Sequence, residues 1–220
     1  MEVFCIKVLD LFSGTRSIAK AFQRAGHETY TVELDRRHDG IDWYQDILQI
    51  SAEDIVERFG HPDVIWASPP CTTYSIAAIS HHRTKDPADG NLSPKSPAAR
   101  LSDQLVQHTL SLIRALQPRY WFIENPRGGL RKMFFMRDLP RYTVTYCQYG
   151  DHRMKPTDIW TNHPDPCFKP MCRRGDPCHE AAPRGAKTGT QGLQGAIDRS
   201  VIPDALCDHI AAICAAEEEN

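Results

Sequence analysis

The first half of the chain alternates apolar runs with segments of helical spacing. Residues 5–12 form an apolar run that ends at Ser13-Gly14, which predicts a buried strand entering a turn. Apolar positions then recur at helical spacing up to Ala25, and Gly26 follows as a stop signal. The same reading predicts strands over 29–34, 63–67 and 120–123, and helices over 54–59, 101–116 and from 202 onward. This order predicts an α/β fold with a mostly parallel sheet covered by helices on both faces.

Two segments break the alternation. Residues 72–98 are rich in Ser, Pro, Asp and His and show little periodicity, so we expect a long mobile loop. Residues 161–200 combine Cys and His with many Gly and Pro, which predicts a small Cys/His-rich appendage. We therefore expect a core over 1–160, the appendage over 161–200, and a terminal helix over 201–220 that packs back on the core.

Composition narrows the class of protein. With 41% hydrophobic and 25% charged residues in 220, the chain has ordinary globular values, which excludes collagen-like, coiled-coil and wholly disordered proteins. No apolar run reaches the ~20 residues of a membrane span, and the amino terminus lacks a signal-peptide pattern. We expect a cytoplasmic protein without a membrane partner, whose cysteines are thiols, nucleophiles or metal ligands.

Charge is unevenly distributed along the chain. The net charge of −2 argues against indiscriminate coating of nucleic acid, yet residues 127–155 carry 7 Lys/Arg against 2 acidic residues. Such a basic stretch fits a surface that meets phosphate on one side. A solvated helix face or loop gives the same pattern, and charge alone favours that interpretation.

Polar residues at the ends of the first strands predict a cofactor site. The turn at Phe12-Ser13-Gly14 lets the backbone approach a ligand near a helix N-terminus. About twenty residues later Glu33 stands where an acid binds both hydroxyls of a ribose, and Asp46 can accept from an adenine amino group. The chain lacks the full G-x-G-x-x-G pattern, so a nucleoside-bearing cofactor without a pyrophosphate is favoured.

Two further strand ends carry candidate catalytic groups. Pro69 and Pro70 stiffen the exit from a buried strand and hold Cys71 at the sheet edge, where a thiolate can act as a nucleophile. Glu124 follows another strand and can converge on Cys71. A thiol beside an acid suits attack on an electron-poor heteroaromatic ring. The alternatives are a buried structural cysteine and a helix-capping glutamate.

In this order, these motifs resemble those of the cytosine-5 methyltransferase family, particularly its small bacteriophage-type members. The resemblance covers roughly residues 5–160 and rests on Phe12-Ser13-Gly14, Glu33, Asp46, Pro69-Pro70-Cys71 with Ser75, Glu124-Asn125-Pro126, and Gln148-Tyr149-Gly150. It implies a Rossmann-like, S-adenosylmethionine-dependent methyltransferase that acts on DNA, in the cytoplasm of a bacterial host.

The resemblance also implies roles for individual residues. Cys71 would add to C6 of a flipped-out cytosine, while Glu124 would contact N3 and the exocyclic amine. Where the family has Gln-x-Arg-x-Arg, this chain offers the cations Arg153 and Lys155 for the active site. The residues expected to contact the cofactor are Phe12, Gly14, Thr15, Glu33, Asp46 and Pro69.

Arg16 is a departure from the family pattern. The family has further glycines after Gly14, where this chain has Arg16 and Ser17. We expect Arg16 to face solvent. The alternative is that Arg16 meets a carboxylate on an altered methionine-type cofactor.

The appendage offers a candidate metal site. Cys167, Cys172 and Cys178 with one histidine match a tetrahedral structural zinc, and His163 competes with His179 for the fourth position. We place His179 there. Ordinary reduced thiols in a loop are the alternative. The other cysteines, Cys5, Cys147, Cys207 and Cys214, are expected in the core.

Two other functions remain compatible with these motifs. One is a non-catalytic nucleic-acid-binding module of the same fold, and the other is an RNA-directed enzyme with the same chemistry. Cys71 and Glu124 together favour catalysis, and we expect a monomer acting on double-stranded DNA. Because only residues 161–200 remain for target recognition, we expect short or relaxed target specificity.

Overall fold

The protein is described here by a computed structural model over residues 5–88, 90–173, 175–180 and 195–216. Strands run over Lys7–Leu11 (β1), Glu28–Glu33 (β2), Trp43–Tyr44 (β3), Val64–Ala67 (β4), Arg83–Lys85 (β5), Leu92–Pro94 (β6), Tyr120–Pro126 (β7), Arg141–Thr145 (β8) and Pro156–Thr161 (β9). Helices run over Ser17–Arg24 (α1), Ala52–Phe59 (α2), Ile79–His82 (α3), Pro97–Leu116 (α4), Ala196–Ser200 (α5) and Asp204–Ala215 (α6).

One large sheet organises the fold. Its order is β3-β2-β1-β4-β7-β9-β8, in which β3, β2, β1, β4 and β7 are parallel. β9 runs antiparallel to both β7 and β8. The predicted α/β fold with a mostly parallel sheet is confirmed. Because parallel strands end at one edge, the loops that follow β1, β2, β3, β4 and β7 meet there.

Helices cover both faces of the sheet. Successive strand residues point to opposite faces, so Leu9 of β1 packs in the core with α2 and α4, whereas Val8 packs with α1 and α6. A strand buried on both faces is expected to be apolar, which explains the continuous hydrophobic run of β4. β1 follows the same rule except at Lys7, its first residue, and at the buried Asp10. On the second face, α6 lies against α1 through buried residues such as Leu206 and Ile210.

Local capping sets the ends of the main helices. α4 begins one turn earlier than the predicted helix, because the Ser96 side chain accepts from the Ala99 N–H and Pro97 occupies the first turn. It ends at Gln117, which adopts a left-handed conformation before Pro118. α2 begins at a reciprocal capping box between Ser51 and Asp54.

The expectation of a long loop over 72–98 is wrong. This segment contains a short 3-10 helix (Thr72–Tyr74), α3 and the antiparallel hairpin of β5 and β6. The hairpin is anchored by the buried side chain of Arg83, which pairs with Asp103 of α4. A polar segment fixed by one buried ion pair has no apolar periodicity, so its order was not visible in the sequence.

Some expectations fall elsewhere. Cys207 and Cys214 are buried in the core as predicted, but Cys5 is exposed. Residues 181–194 of the predicted appendage and 217–220 of the terminal helix lie outside the described residues. Among the helices that are described, none combines the length and the apolar character needed to cross a membrane.

Asp10 in β1 gives a pH-dependent prediction. Burial raises the pKa of Asp10 from 3.8 to about 7, and its Oδ2 has no partner among the described residues. The protonated carboxyl therefore stabilises the folded state fully below pH 3.8, and this contribution is lost as pH rises through about 7. Asp10→Asn should gain stability relative to wild type by roughly 2–4 kcal/mol between those limits, in urea unfolding at several pH values.

The matched control is Asp39→Asn, at an exposed acid. A pH-independent difference between Asp10→Asn and wild type, no larger than that of Asp39→Asn, would contradict the assignment.

Candidate functional site

The predicted site residues gather at the carboxyl edge of the sheet. Phe12 follows β1, Glu33 ends β2, and Asp46 follows β3. Cys71 lies four residues beyond the end of β4, and Glu124 lies within β7, the next strand in the sheet. Phe12 and Glu124 are more than a hundred positions apart in the sequence, and the order of the parallel strands brings both to the same edge.

The position of Cys71 is fixed by its neighbours. The Asn125 side chain donates to the Pro69 carbonyl at 2.9 Å, which ties the Pro-Pro segment to β7. The Cys71 carbonyl accepts from the N–H groups of Tyr74 and Ser75, both at 3.0 Å. Cys71 is therefore held in a rigid turn and keeps partial exposure.

Arg83 holds the segment that follows Cys71. Its guanidinium donates to the Thr73 carbonyl at 3.0 Å and pairs with Asp103, whose carboxylate also accepts from the Tyr74 hydroxyl at 2.7 Å. The Arg83 side chain has no exposed surface and lies 4.2 Å from the centre of the Tyr74 ring. Sequence analysis did not single out this residue, and a lone arginine in a polar segment gives no signal of burial.

Close packing of glycines fixes the same segment from the other side. The Gly129 N–H donates to the Tyr74 carbonyl at 2.7 Å. A Cβ atom on Gly128 would lie 2.5 Å from that same oxygen, closer than any side chain tolerates. The Gly128-Gly129 pair after β7 therefore allows the close approach that brings β7 and the Cys71 turn together.

Glu124 lies in a buried polar environment beside Cys71. Burial raises the pKa of Glu124, while Lys155 opposes that rise. The Tyr146 hydroxyl donates to Glu124 Oε1 at 3.2 Å, and burial raises the pKa of Tyr146, so this hydroxyl keeps its proton. A carboxyl group with a raised pKa can hold or donate a proton near neutral pH.

Lys155 supplies the positive charge of this environment. Its Nζ donates to the Arg199 carbonyl at 2.8 Å and lies 4.5 Å from the centre of the Tyr146 ring. Burial lowers the pKa of Lys155, and Glu124 and Cys71 act against that shift. Burial and Glu124 raise the pKa of Cys71, whereas Lys155 and Arg199 lower it. The thiolate of Cys71 thus depends on nearby cations.

Arg153 has a different environment from Lys155. Its guanidinium forms a two-point pair with Asp151, and the side chain is buried except for 4% of its surface. Its Nη1 has no partner among the described residues. Arg153 lies 6.0 Å from the Tyr146 ring centre, so it borders the site while holding the turn that precedes Lys155.

A cavity of about 370 Å³ is lined by Pro70, the residue before Cys71, and by part of the predicted cofactor site. Its polar end is Glu33, whose carboxylate accepts from the N–H groups of Gly14, Leu34 and Asp35 at 2.8–3.0 Å. The lining residues are Phe12, Val32, Glu33, Leu34, Asp35, Gln45, Asp46, Ile47, Pro70 and Leu105. Of the predicted residues, Gly14, Thr15 and Pro69 do not line it.

Arg16 was expected to face solvent, but it is partly buried. It adopts a left-handed conformation with φ of 59°, is half-buried, and its Nη1 would lie 2.6 Å from a Cβ on Gly40. Its Nε is buried and has no partner in the described part of the chain. Arg16 therefore packs under the loop between β2 and β3, on the side of Gly14.

The cysteines and histidines form a group with a membership different from the predicted one. Potential ligand atoms of Cys147, Cys172, Cys178 and His179 all lie within 4.8 Å of one another. Cys167 is exposed beside Asp165 and is not a member, so Cys147, expected in the core, takes its place. His163 is also outside, since its Nε2 meets the Ile213 carbonyl at 3.2 Å and its ring packs on Tyr120.

Comparison with known proteins gives a family match. The profile of the C-5 cytosine-specific DNA methylase family matches residues 6–134. A Frog virus 3 (isolate Goorha) protein named "Probable DNA (cytosine-5)-methyltransferase" is 34% identical over an alignment of 165 residues, with coverage of 71% of this chain and 71% of that protein.

Solved structures share the fold at lower identity. An E. coli prophage-encoded protein assigned to DNA modification methyltransferases has a TM-score of 0.53 at 21% identity, over 71% of this chain and 46% of that one. Entamoeba histolytica methyltransferase EhMeth has a TM-score of 0.51 at 13% identity, over 71% and 52%. S. pombe Dnmt2 methyltransferase has 0.50 at 14%, over 71% and 50%. They confirm the Rossmann-like methyltransferase fold, and this chain spans about half their length.

The buried pair of Arg83 and Asp103 yields a stability prediction. Arg83→Met leaves the Asp103 carboxylate buried without its partner and should lower the unfolding free energy by about 3–5 kcal/mol. Arg83→Met/Asp103→Leu should recover much of this loss, because both charges are then removed. Urea unfolding of the purified variants measures both effects.

The control is Arg37→Met. The Arg37 side chain is 77% exposed and pairs with Asp35. Because water screens an exposed ion pair, this variant should unfold at nearly the same urea concentration as wild type. Equal losses for Arg83→Met and Arg37→Met would show that Arg83 does not anchor the segment.

Proposed function

Since the chain belongs to the C-5 cytosine-specific DNA methylase family, we propose that it transfers a methyl group from S-adenosylmethionine to C5 of cytosine in double-stranded DNA. The family predicted from the sequence, that of the DNA (cytosine-5)-methyltransferases, is confirmed. The observation that carries the proposal is the convergence of Glu124 and Lys155 on Cys71. Pro70, the residue before Cys71, lines the cavity.

The cavity has the features that S-adenosylmethionine needs. Three backbone N–H groups fix the Glu33 carboxylate, and its Oε2, which accepts only from Gly14, keeps one acceptor site for a ribose hydroxyl. Ile47 and Leu105 provide apolar walls for a purine, and Asp46 lies at the cavity with Oδ1 accepting from the Leu48 N–H. When bound, S-adenosylmethionine supplies an electrophilic methyl group on its sulfonium sulfur.

Cys71 is the proposed nucleophile. Its thiolate forms a bond to C6 of the cytosine ring, which makes C5 electron-rich enough to accept the methyl group. Loss of the C5 proton and breaking of the bond between Sγ and C6 then restore the ring and release Cys71. The rigid turn around Cys71 keeps the thiolate in place for both steps.

Glu124 and Lys155 assist Cys71 in different ways. Glu124 has a raised pKa, so its carboxyl can donate to N3 and offset the charge that builds up in the ring during thiolate addition. Lys155 favours the thiolate of Cys71. We propose Arg153 as a positioning residue that holds the turn before Lys155 through Asp151.

The substrate base must leave the duplex, because C6 is not accessible inside a base stack. Two exposed cations lie at the carboxyl edge of the sheet. Arg127 follows β7, and the Arg199 carbonyl accepts from Lys155 Nζ. We propose that both side chains contact DNA phosphates. We propose that residues 161–200 recognise the target within a chain whose core covers 1–160. Relaxed target specificity and a monomeric state remain predictions.

A trapping experiment tests this function. Fluorine at C5 of a cytosine blocks the final proton loss, so the enzyme should remain bonded to 5-fluorocytosine duplex DNA in the presence of S-adenosylmethionine. Wild type should give a band that resists denaturation on a gel. Cys71→Ser should give none, and the control Cys5→Ser, at an exposed thiol outside the site, should match wild type.

Matched RNA and single-stranded DNA complete the design. Trapping only on RNA would replace the proposal with an RNA methyltransferase. Binding of duplex DNA without trapping or methyl transfer on any substrate would indicate a non-catalytic binding module. Either result would overturn the proposed function.

The cation beside Cys71 predicts a pH effect. Because Lys155 lowers the pKa of Cys71, Lys155→Met should raise that pKa and shift Cys71 alkylation to higher pH. Lys155→Arg retains the charge and should shift it less. Iodoacetamide labelling across pH, followed by peptide mass spectrometry, measures the effect. An unchanged midpoint in Lys155→Met would contradict the role of the cation.

A further inference from the structure

The Cys/His group joins two parts of the chain. Cys147 lies in a buried 3-10 helix (Tyr146–Tyr149) that follows β8. The other three members, Cys172, Cys178 and His179, lie in residues 162–180, which follow β9 and contain no helix or strand in their described part. The group therefore connects the segment 162–180 to the catalytic sheet.

Three distances within the group match the edges of a metal-centred tetrahedron. Ligands at about 2.3 Å from a zinc ion lie about 3.7 Å apart. Here Cys178 Sγ lies 3.6 Å from Cys147 Sγ and 3.6 Å from His179 Nδ1, and Cys172 Sγ lies 3.7 Å from the same nitrogen. The pair of Cys147 and Cys172 is closer, at 3.0 Å, yet far beyond a disulfide bond of about 2.05 Å.

The segment 162–180 lacks an apolar core that would fix it in place. Within its described residues, only Pro166 and Cys172 are buried. Its position is instead set by contacts with the end of β8, the chain after β8, and α6. The Cys172 N–H donates to Thr145 Oγ1 at 3.0 Å, the Lys169 N–H donates to the Tyr149 hydroxyl at 2.9 Å, and His163 Nε2 lies 3.2 Å from the Ile213 carbonyl. Phe168, which is partly buried, packs against the core. A few surface hydrogen bonds are weak compared with a bound metal ion.

We propose that Cys147, Cys172, Cys178 and His179 bind one structural zinc ion that fastens the segment 162–180 to the β8–β9 connection. The three thiols release their protons to solvent on binding, and His179 donates the Nδ1 lone pair. Four protein ligands close the coordination sphere, as in structural rather than catalytic zinc sites. The Gln148 side chain donates to Cys178 Sγ at 3.5 Å and thereby supports a thiolate at that position.

Metal content tests the proposal on the full chain. Wild type purified without chelators should contain about one zinc per chain by plasma mass spectrometry. Cys147→Ser and Cys178→Ser should lose most of it, whereas Cys167→Ser, at the exposed neighbour, should keep it. Zinc-free wild type, a disulfide between these cysteines, or zinc lost from Cys167→Ser but kept in Cys147→Ser would overturn the proposal.

A second measurement needs no variant and so does not depend on variant folding. Titration of wild type with a mercurial reagent in the presence of a zinc-sensitive dye should release zinc in step with modification of three thiols. Chelation should also open the segment to trypsin at Arg173, while β1–β9 stay protected. Unchanged cleavage after complete zinc removal would exclude the fastening role. Neither readout depends on methyl transfer, so the result is separate from the proposed function.

Discussion

β4 lies between β1 and β7 in parallel register, with Ala67 paired to Leu11 on one side and to Ile123 on the other. The turns that carry Phe12 and Cys71, and the strand end that carries Glu124, reach one edge because of this register. A slip of one residue in β7 would turn Glu124 to the opposite face, since strand side chains alternate. Every distance in the candidate site depends on this pairing.

At the carboxyl edge of the sheet, two groups that can become anions, Cys71 and Glu124, lie near Lys155. Cys71, Glu124 and Lys155 all lie where burial opposes ionisation. One ammonium group can offset one anion, so a Cys71 thiolate and an ionised Glu124 compete for Lys155. A protonated Glu124 removes the competition and is the form that can donate to a ring nitrogen. In the proposed reaction, the raised pKa of Glu124 thus serves both nucleophile and substrate.

Short motifs at strand ends could be predicted from the sequence because each joins an apolar run to a polar turn, as at Cys71 and Glu124. Other features depend on partners far along the chain. Asp158 makes β9 look polar, yet Arg131 and Thr143 satisfy its buried carboxylate. Cys147 was expected in the core because its partners are also distant in the sequence. The β8–β9 pairing brings it to Cys172 and Cys178, about thirty positions away.

The connection between β8 and β9 carries one ligand of the proposed zinc site and the cation that acts on the proposed nucleophile. Cys147 lies near its start and Lys155 at its end, directly before β9. Chain beyond β9 meets both positions: Cys172 lies beside Cys147, and the Arg199 carbonyl accepts from Lys155 Nζ. The described parts of this segment, residues 162–173, 175–180 and 195–200, therefore bear on the cation that favours the Cys71 thiolate. The segment proposed to recognise the target would therefore also influence the ionisation of Cys71, through its contacts with the connection between β8 and β9.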